Sequence, residues 1–255
     1  MNTSSLDTLP IGEIRYFDMI GSTNDYAMHW ANDGADDLSL VLADEQTAGR
    51  GRMERKWFTP PGSALAMSLI LRPTVDEVSY IPRATALLAI SLVDSLRQHG
   101  LDSQIKWPND ILLSGSKVAG ILVESIWSGN KPDALILGMG VNVLKASVPT
   151  TDELLFPATS LEDEFGKPLN REELLKDILL TLLVWRLKLG TNLFITTWQQ
   201  NLAFFGQQVR VWRDCEQEVV GELIGLNPDG SLNLRDENGK SVTVHFGEVH
   251  LRSLA

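Results

Sequence analysis

Gly49-Arg50-Gly51-Arg52-Met53-Glu54-Arg55-Lys56-Trp57 sits between two apolar runs, Leu38-Ser39-Leu40-Val41-Leu42-Ala43 before it and Ala64-Leu65-Ala66-Met67-Ser68-Leu69-Ile70-Leu71 after it. The flanks read as core strands, so the charged stretch is a loop anchored on a sheet, the usual place for binding residues. Glycine lets backbone approach a ligand closely, and arginine supplies a planar donor fork suited to phosphate or carboxylate. Trp57 adds a flat apolar surface for a ring. A solvated, merely basic loop is the bland alternative, and the apolar flanks weigh against it.

The charge setting narrows the ligand. The chain has 255 residues and a formal net charge of −11. A concentrated basic loop on an acidic protein points to a small anion rather than to a broad nucleic-acid surface. Hydrophobic residues make up 44% and charged residues 22%, ordinary figures for a globular protein with one large domain, or a large and a small one. Cys215 is the single cysteine, so no intrachain disulfide forms; it reads as packing filler, although its neighbour Glu216 hints at partial exposure. His29, His99, His245 and His250 are scattered without metal-ligand spacing, and no metal site is expected. The N-terminus lacks a basic start and an apolar signal core, and no apolar run is long enough for a membrane span, so a cytoplasmic protein is expected.

Outward from the loop, Gly12–Phe17 reads as a strand, Asp18–Asn24 as a turn with Ser22 or Thr23 as helix cap, and Asp25–Asn32 as a short helix. Leu88, Leu92 and Leu96 recur at helical spacing in Thr85–Gln98, which Gly100 closes. Ile105–Leu113 and Lys117–Trp127 are expected as strands joined by Ser114-Gly115-Ser116, and Ala134–Val143 as a further strand. Asn170–Lys188 is an amphipathic helix with Asn170 as cap, and Thr191–Phe205 a second helix. Past Gly206 the pattern changes to four or five short strands with tight turns, which suggests a small barrel. Residues 1–205 are therefore read as one large domain and 206–255 as a small C-terminal one. The polar stretch from Leu144 to Pro157 is a connector or a lid that orders on ligand.

Four more segments carry candidate chemistry. Ser22-Thr23-Asn24 offers groups for a polar neutral head such as a urea, or is simply a helix cap. Lys106-Trp107-Pro108-Asn109-Asp110 is odd within a strand, because proline removes a ladder donor; it is a bulged edge strand or a device that aims Lys106, Asn109 and Asp110. Lys117, opening Lys117-Val118-Ala119-Gly120-Ile121-Leu122-Val123-Glu124, is a surface lysine or one at the mouth of a site. Gly138-Met139-Gly140-Val141-Asn142 has glycines suited to close approach, although a lone Gly-x-Gly is weak evidence.

Together and in this order, these segments resemble the bacterial biotin protein ligase family. The likeness runs through Ser22-Thr23-Asn24, Gln46, Gly49 to Arg52, Arg55-Lys56-Trp57, Lys106 to Asp110, Lys117 with Ala119 to Glu124, Gly138 to Asn142, and Gly247-Glu248-Val249. It departs at Glu54, where the family often has a small residue. The resemblance implies an α+β (α/β sheet) catalytic domain like those of class II synthetase-like biotin and lipoate ligases, followed by an SH3-like β-barrel. Some members carry an N-terminal DNA-binding domain; the expectation here is the catalytic-only class, acting without DNA or membrane, with a homodimer allowed.

The resemblance also implies the reaction and its residues. Biotin is activated with ATP, assisted by Mg²⁺, to biotinyl-5′-AMP, then passed to a lysine of a biotin carboxyl carrier protein. Lys117, Arg52 and Asp110 are the implied catalytic residues. Ser22, Thr23, Asn24, Gln46, Arg50, Gly51, Arg52, Lys117 and Gly120 would bind biotin. Gly49, Arg50, Arg52, Arg55, Trp57, Lys106, Asn109 and Asn142 would hold ATP. A lipoate ligase on a similar scaffold, or a non-catalytic biotinyl-AMP sensor, are the rival readings; a P-loop enzyme is not, since no Gly-x-x-x-x-Gly-Lys-Ser/Thr occurs.

Overall fold

A computed structural model of the chain describes residues 1, 3–149, 156–167, 169–213, 217–245 and 252–253. Seven strands form one mixed sheet in the order β1-β2-β3-β7-β6-β5-β4: β1 (Ile14–Ile20), β2 (Leu40–Gln46), β3 (Ala64–Leu71), β4 (Ser103–Lys106), β5 (Asp110–Leu113), β6 (Ser116–Ser128) and β7 (Lys131–Asn142). β1 runs parallel to β2 because α1 (Thr23–Asn32) makes the crossover between them; the remaining pairs are antiparallel.

The two faces of the sheet have different fates, and β7 shows why. Side chains alternate across a strand. Leu135, Leu137, Met139 and Val141 join the main core with α2 (Ala84–Gln98) and α4 (Arg171–Arg186). α2 is apolar nearly all round because it lies between the sheet and the stripe Leu174, Leu175, Ile178, Leu182 and Trp185 of α4. The opposite face presents Ala134 and Ile136, then Gly138 and Gly140. α1 covers only the first part, packing Ala27, Trp30 and Ala31 on Val41, Ile70, Ala134 and Ile136. α1 reaches Gly138 only through the Asn24 side chain of its first turn and does not extend over Gly140. That uncovered glycine floor is where the cleft forms.

Ser22 is the cap of α1, its Oγ accepting from the Asp25 N–H at 3.3 Å. Three expectations need correction. The helix read over Thr191–Phe205 stops at Gln200, and residues 201–203 pair with Ile105 instead. Asp18–Asn24 is not wholly a turn, since β1 continues to Ile20. Ile105–Leu113 is not one strand: β4 ends at Lys106, residues 107–109 turn, and β5 pairs back antiparallel with Lys106 opposite Asp110. Pro108, which has no N–H to give a ladder, thus sits in a hairpin turn after a cis Trp107–Pro108 bond rather than in a bulged strand. 

After α3 (Leu161–Phe165), α4 and α5 (Asn192–Gln200), a five-stranded antiparallel sheet follows, ordered β11-β10-β9-β8-β12. Its strands are β8 (Gln208–Arg213), β9 (Gln217–Leu226), β10 (Leu232–Arg235), β11 (Ser241–Val244) and β12 (Arg252–Ser253), in the region past Gly206 where four or five short strands of a small barrel were expected. Cys215, His250, Gly247-Glu248-Val249 and the Thr150, Thr151 and Asp152 part of the connector lie outside the described residues. Among the described residues no helix is long and apolar enough to cross a membrane.

Candidate active site

A cleft of about 930 Å³ opens above the glycine floor. Every residue singled out from the sequence for a binding or catalytic role lines it: Ser22, Thr23, Asn24, Gln46, Gly49 to Arg52, Arg55, Trp57, Lys106, Asn109, Asp110, Lys117, Gly120 and Asn142. They come from five separate stretches of chain, so their meeting is a property of the fold.

At the α1 end lies a buried polar network. The Thr23 N–H and hydroxyl both donate to Gln46 Oε1, at 2.8 and 3.0 Å, and Gln46 Nε2 donates to Thr59 Oγ1 at 3.2 Å. Ser68, fully buried on β3, lies 2.8 Å from Thr23 Oγ1 and 2.6 Å from Asn24 Oδ1. Asn24 Nδ2 donates to Glu124 Oε2 at 2.8 Å. A satisfied network of this kind holds its side chains in one geometry. Gly138 is required beneath it, because a Cβ there would stand 2.1 Å from Asn24 Oδ1.

The basic loop closes over the middle of the floor. The Gly51 N–H donates to the Arg55 carbonyl at 2.6 Å and the Trp57 N–H to the Gly49 carbonyl at 2.8 Å, so the loop folds back on itself. Met53 takes the left-handed conformation at φ 55° within it. The Trp57 indole rests on the sheet, where a Cβ at Gly140 would come within 2.2 Å of its ring and one at Gly120 within 3.1 Å. Its buried Nε1–H has no hydrogen-bond partner among the described residues, an orphan donor facing a cleft.

Arg50 is engaged by two carboxylates, Asp25 at 2.5 Å and Glu124 at 3.1 Å. Burial lowers its pKa, and these carboxylates outweigh that and raise it above the ordinary value. This guanidinium thus ties the loop to α1 and β6. Arg52 Nη1 approaches Asn109 Oδ1 at 3.4 Å, linking the loop to the turn after β4.

Cationic groups gather at the other end. Lys117 Nζ is 2.6 Å from Asp110 Oδ1, and Lys106 Nζ is 4.0 Å from Asp110 Oδ2. Lys106 is buried and also stands 3.9 Å over the Phe156 ring, while Lys117 is 5.5 Å from that of Trp57. One carboxylate between two ammonium groups leaves a net positive pocket suited to an incoming anion. Asn109 is held by Ile121, its Nδ2 donating to the Ile121 carbonyl at 3.0 Å, and Asn142 Nδ2 donates to the Thr159 carbonyl at 3.1 Å. Phe156, Ser68, Thr59 and Glu124 are site members that sequence reasoning left without a role.

Two family models match the chain. The biotin/lipoate A/B protein ligase family matches residues 16–142, and the biotin protein ligase C-terminal domain matches residues 204–252. The bifunctional ligase/repressor BirA of Bacillus subtilis is 35% identical over 228 residues, covering 88% of this chain and 70% of the relative. The biotin--[acetyl-CoA-carboxylase] ligase of Paracoccus denitrificans is 35% identical over 231 residues, covering 87% and 93%. Among solved structures, the biotin protein ligase from Aquifex aeolicus in complex with biotin and ATP superposes with a TM-score of 0.81 at 27% identity, covering 94% of this chain and 99% of that one.

Proposed function

The chain belongs to the biotin protein ligase family, and from that membership we propose how its cleft joins biotin to a carrier protein at the expense of ATP. The protein is an ATP-dependent biotin ligase acting on the biotin carboxyl carrier protein of acetyl-CoA carboxylase. In the first step a carboxylate oxygen of biotin attacks the α-phosphorus of ATP, the bond to the β-phosphate breaks, and pyrophosphate leaves. In the second, an acceptor lysine amine attacks the acyl carbon of biotinyl-5′-AMP, gives up a proton, and AMP leaves.

The observation that carries this reading is the polarity gradient of one cleft: a neutral hydrogen-bonding network at one end, cations at the other. Thr23, Asn24 and Gln46, braced by Ser22 and Ser68, suit the ureido ring, which must replace its lost hydration on burial. Lys117 and Lys106 face the reacting anions. Two anions repel, and fixed cations aimed at developing charge lower the barrier. Arg52 and Arg55 clamp the phosphates and Arg50 holds the loop that bears them, while the Gly51 N–H, donated to the Arg55 carbonyl, keeps that loop folded rather than binding phosphate. Trp57, Asn109 and Asn142 frame the adenosine, and Gly120 leaves room beneath it. Asp110 orients the acceptor amine or takes its proton.

No cluster of three or more His, Cys, Asp or Glu side chains suited to a metal exists among the described residues, and Asp110 is shared by two lysines. Mg²⁺ therefore fits here as an ion carried in on the triphosphate, whose charge it would offset. The reading also includes action in the cytoplasm, a catalytic unit ending near residue 205 and a homodimer as an allowed assembly. The net charge of −11 disfavours DNA as a partner.

Lipoate is the competing acid. Its dithiolane has no polar edge and would use none of the remaining hydrogen-bonding capacity of Thr23, Asn24 and Gln46, which a ureido ring can take up. ATP–pyrophosphate exchange measured with each acid tests this. Exchange driven by biotin and not by lipoate is expected; the reverse order refutes the reading.

A further inference from the structure

The Trp107–Asn109 turn carries the cleft residues, yet it stands at the margin of the large sheet. β4, which leads into it, is an edge strand. Such a strand needs a partner on its open side or it stays poorly held. Residues 201–203, leading into the C-terminal sheet, supply one: the Ile105 N–H donates to the Asn201 carbonyl at 2.7 Å and the Ala203 N–H to the Ile105 carbonyl at 2.9 Å.

The turn itself is pinned from the same side. Trp107 is 1% exposed, and its Nε1 donates to the Gly230 carbonyl at 2.8 Å. Gly230 belongs to the Asn227–Gly230 turn between β9 and β10, at φ 84°, where a Cβ would lie 2.5 Å from the Trp198 ring. That turn is fixed in its own right by Arg83. The buried guanidinium donates to the Pro228 carbonyl at 2.7 and 3.1 Å and to the Leu189 carbonyl at 2.6 Å. A chain of buried hydrogen bonds therefore runs from Arg83 through the Asn227–Gly230 turn to Trp107.

We infer that the C-terminal sheet sets the position of Lys106, Asn109 and Asp110 through the Gly230–Trp107 hydrogen bond, with Trp107 and Arg83 as positioning residues. Trp107 lines the cleft itself, whereas neither the sheet's turn nor Arg83 does, so the Arg83 variants read the positioning effect without touching the ligand's space. Their effect reaches the reaction by holding the Trp107–Asn109 turn in one place, and misplacing a catalytic group by about 1 Å costs on the order of 10²-fold in rate. The ureido end of the cleft rests on α1, β2 and β3 and lies outside this chain of contacts. The inference rests on the proposed function for its kinetic readout alone.

The test compares Trp107→Phe, Arg83→Met and Arg83→Lys in the full chain, each shown folded by circular dichroism. Hydrogen exchange of the backbone amides from Lys106 to Ile111 reads the turn directly and needs no assumption about the reaction. Exchange at least tenfold faster in Trp107→Phe and Arg83→Met is expected, with partial recovery in Arg83→Lys, which keeps a donor. In pyrophosphate release, kcat should fall about tenfold while KM for biotin stays within twofold. Unchanged exchange in the 106–111 amides overturns the inference, as does a wild-type kcat in a folded variant or a biotin KM that rises as much as kcat falls. Should the wild-type protein show no pyrophosphate release, the exchange result alone decides, and the failure belongs to the proposed function.

Discussion

Lys117 Nζ lies 2.6 Å from Asp110 Oδ1, on neighbouring strands whose ladder is irregular at this point: the register of β5 and β6 shifts between Ile111 and Leu112. The shift brings the lysine beside a carboxylate two residues after Pro108. Lys117 is anchored by its own backbone as well, its N–H donating to the Pro157 carbonyl at 2.7 Å and its carbonyl accepting from the Thr159 N–H at 2.9 Å. An ammonium held this way is preorganised for charge that develops in a transition state, which is where fixed electrostatics act.

Lys117→Ala should therefore slow adenylate formation by about 10²–10³-fold, equivalent to roughly 2.7–4 kcal/mol of transition-state stabilisation. The side chain is partly exposed, so the fold should survive. Pyrophosphate release in a single turnover measures the first, and a thermal melt the second. Release at the wild-type rate would remove Lys117 from the chemistry.

Asp110→Asn separates the two half-reactions. The carboxylate between Lys106 and Lys117 is assigned to the acceptor amine. Supplied with preformed biotinyl-5′-AMP and a carrier domain, the variant should transfer about 10²-fold more slowly, the lower range for a positioned general base. Transfer at the normal rate would leave Asp110 as a structural counterion to its two lysines.

Gly138→Ala tests the floor of the polar end. The added methyl would meet Asn24 Oδ1 at 2.1 Å and must displace a side chain hydrogen-bonded to Ser68, Glu124 and the Leu122 carbonyl. Overpacking costs about 1–3 kcal/mol. Titration calorimetry should show biotin affinity weakened by about five- to a hundredfold, with little change in affinity for ATP alone. Intact biotin binding would place the ureido group elsewhere.

Glu77 gives a pH signature away from the cleft. Burial alone would push its carboxyl up, but hydrogen bonds from Arg186 and the Thr74 N–H outweigh this and hold its pKa below the ordinary 4.5. A depressed carboxylate pKa stabilises the fold above the unfolded-state value and is lost as pH falls through the folded-state value. The melting temperature of the wild type should exceed that of Glu77→Gln at pH 7, and the gap should shrink below about pH 4.5. A gap that widens on acidification would reverse the sign assigned to this pair.

Much of the site was legible because its chemistry is local in sequence. A glycine-arginine loop between apolar strands, a lysine opening a strand and alternating glycines each declare themselves within ten residues, and the structure gathers them over one floor. Ser68 was not legible, since one hydroxyl within the eight-residue run Ala64–Leu71 looks like a neutral substitution. Its signal was its parity: as the cross-strand partner of Gly138 it sits over the open part of the floor. Arg50 joins residues 25 and 74 positions away, and Trp107 reaches one 123 away, distances that only packing resolves. The split of 105–113 was missed for a different reason. Its apolar ends mask a turn marked by Pro108-Asn109-Asp110.

Incubation of the protein with biotin, ATP, Mg²⁺ and a biotin carrier domain, followed by the intact mass of the carrier, tests the central claim directly. A carrier heavier by one biotinyl group, formed with ATP and absent when Lys117→Ala replaces the wild type over the same short time, is the expected result. A carrier of unchanged mass, with no pyrophosphate released into the mixture, would contradict the account.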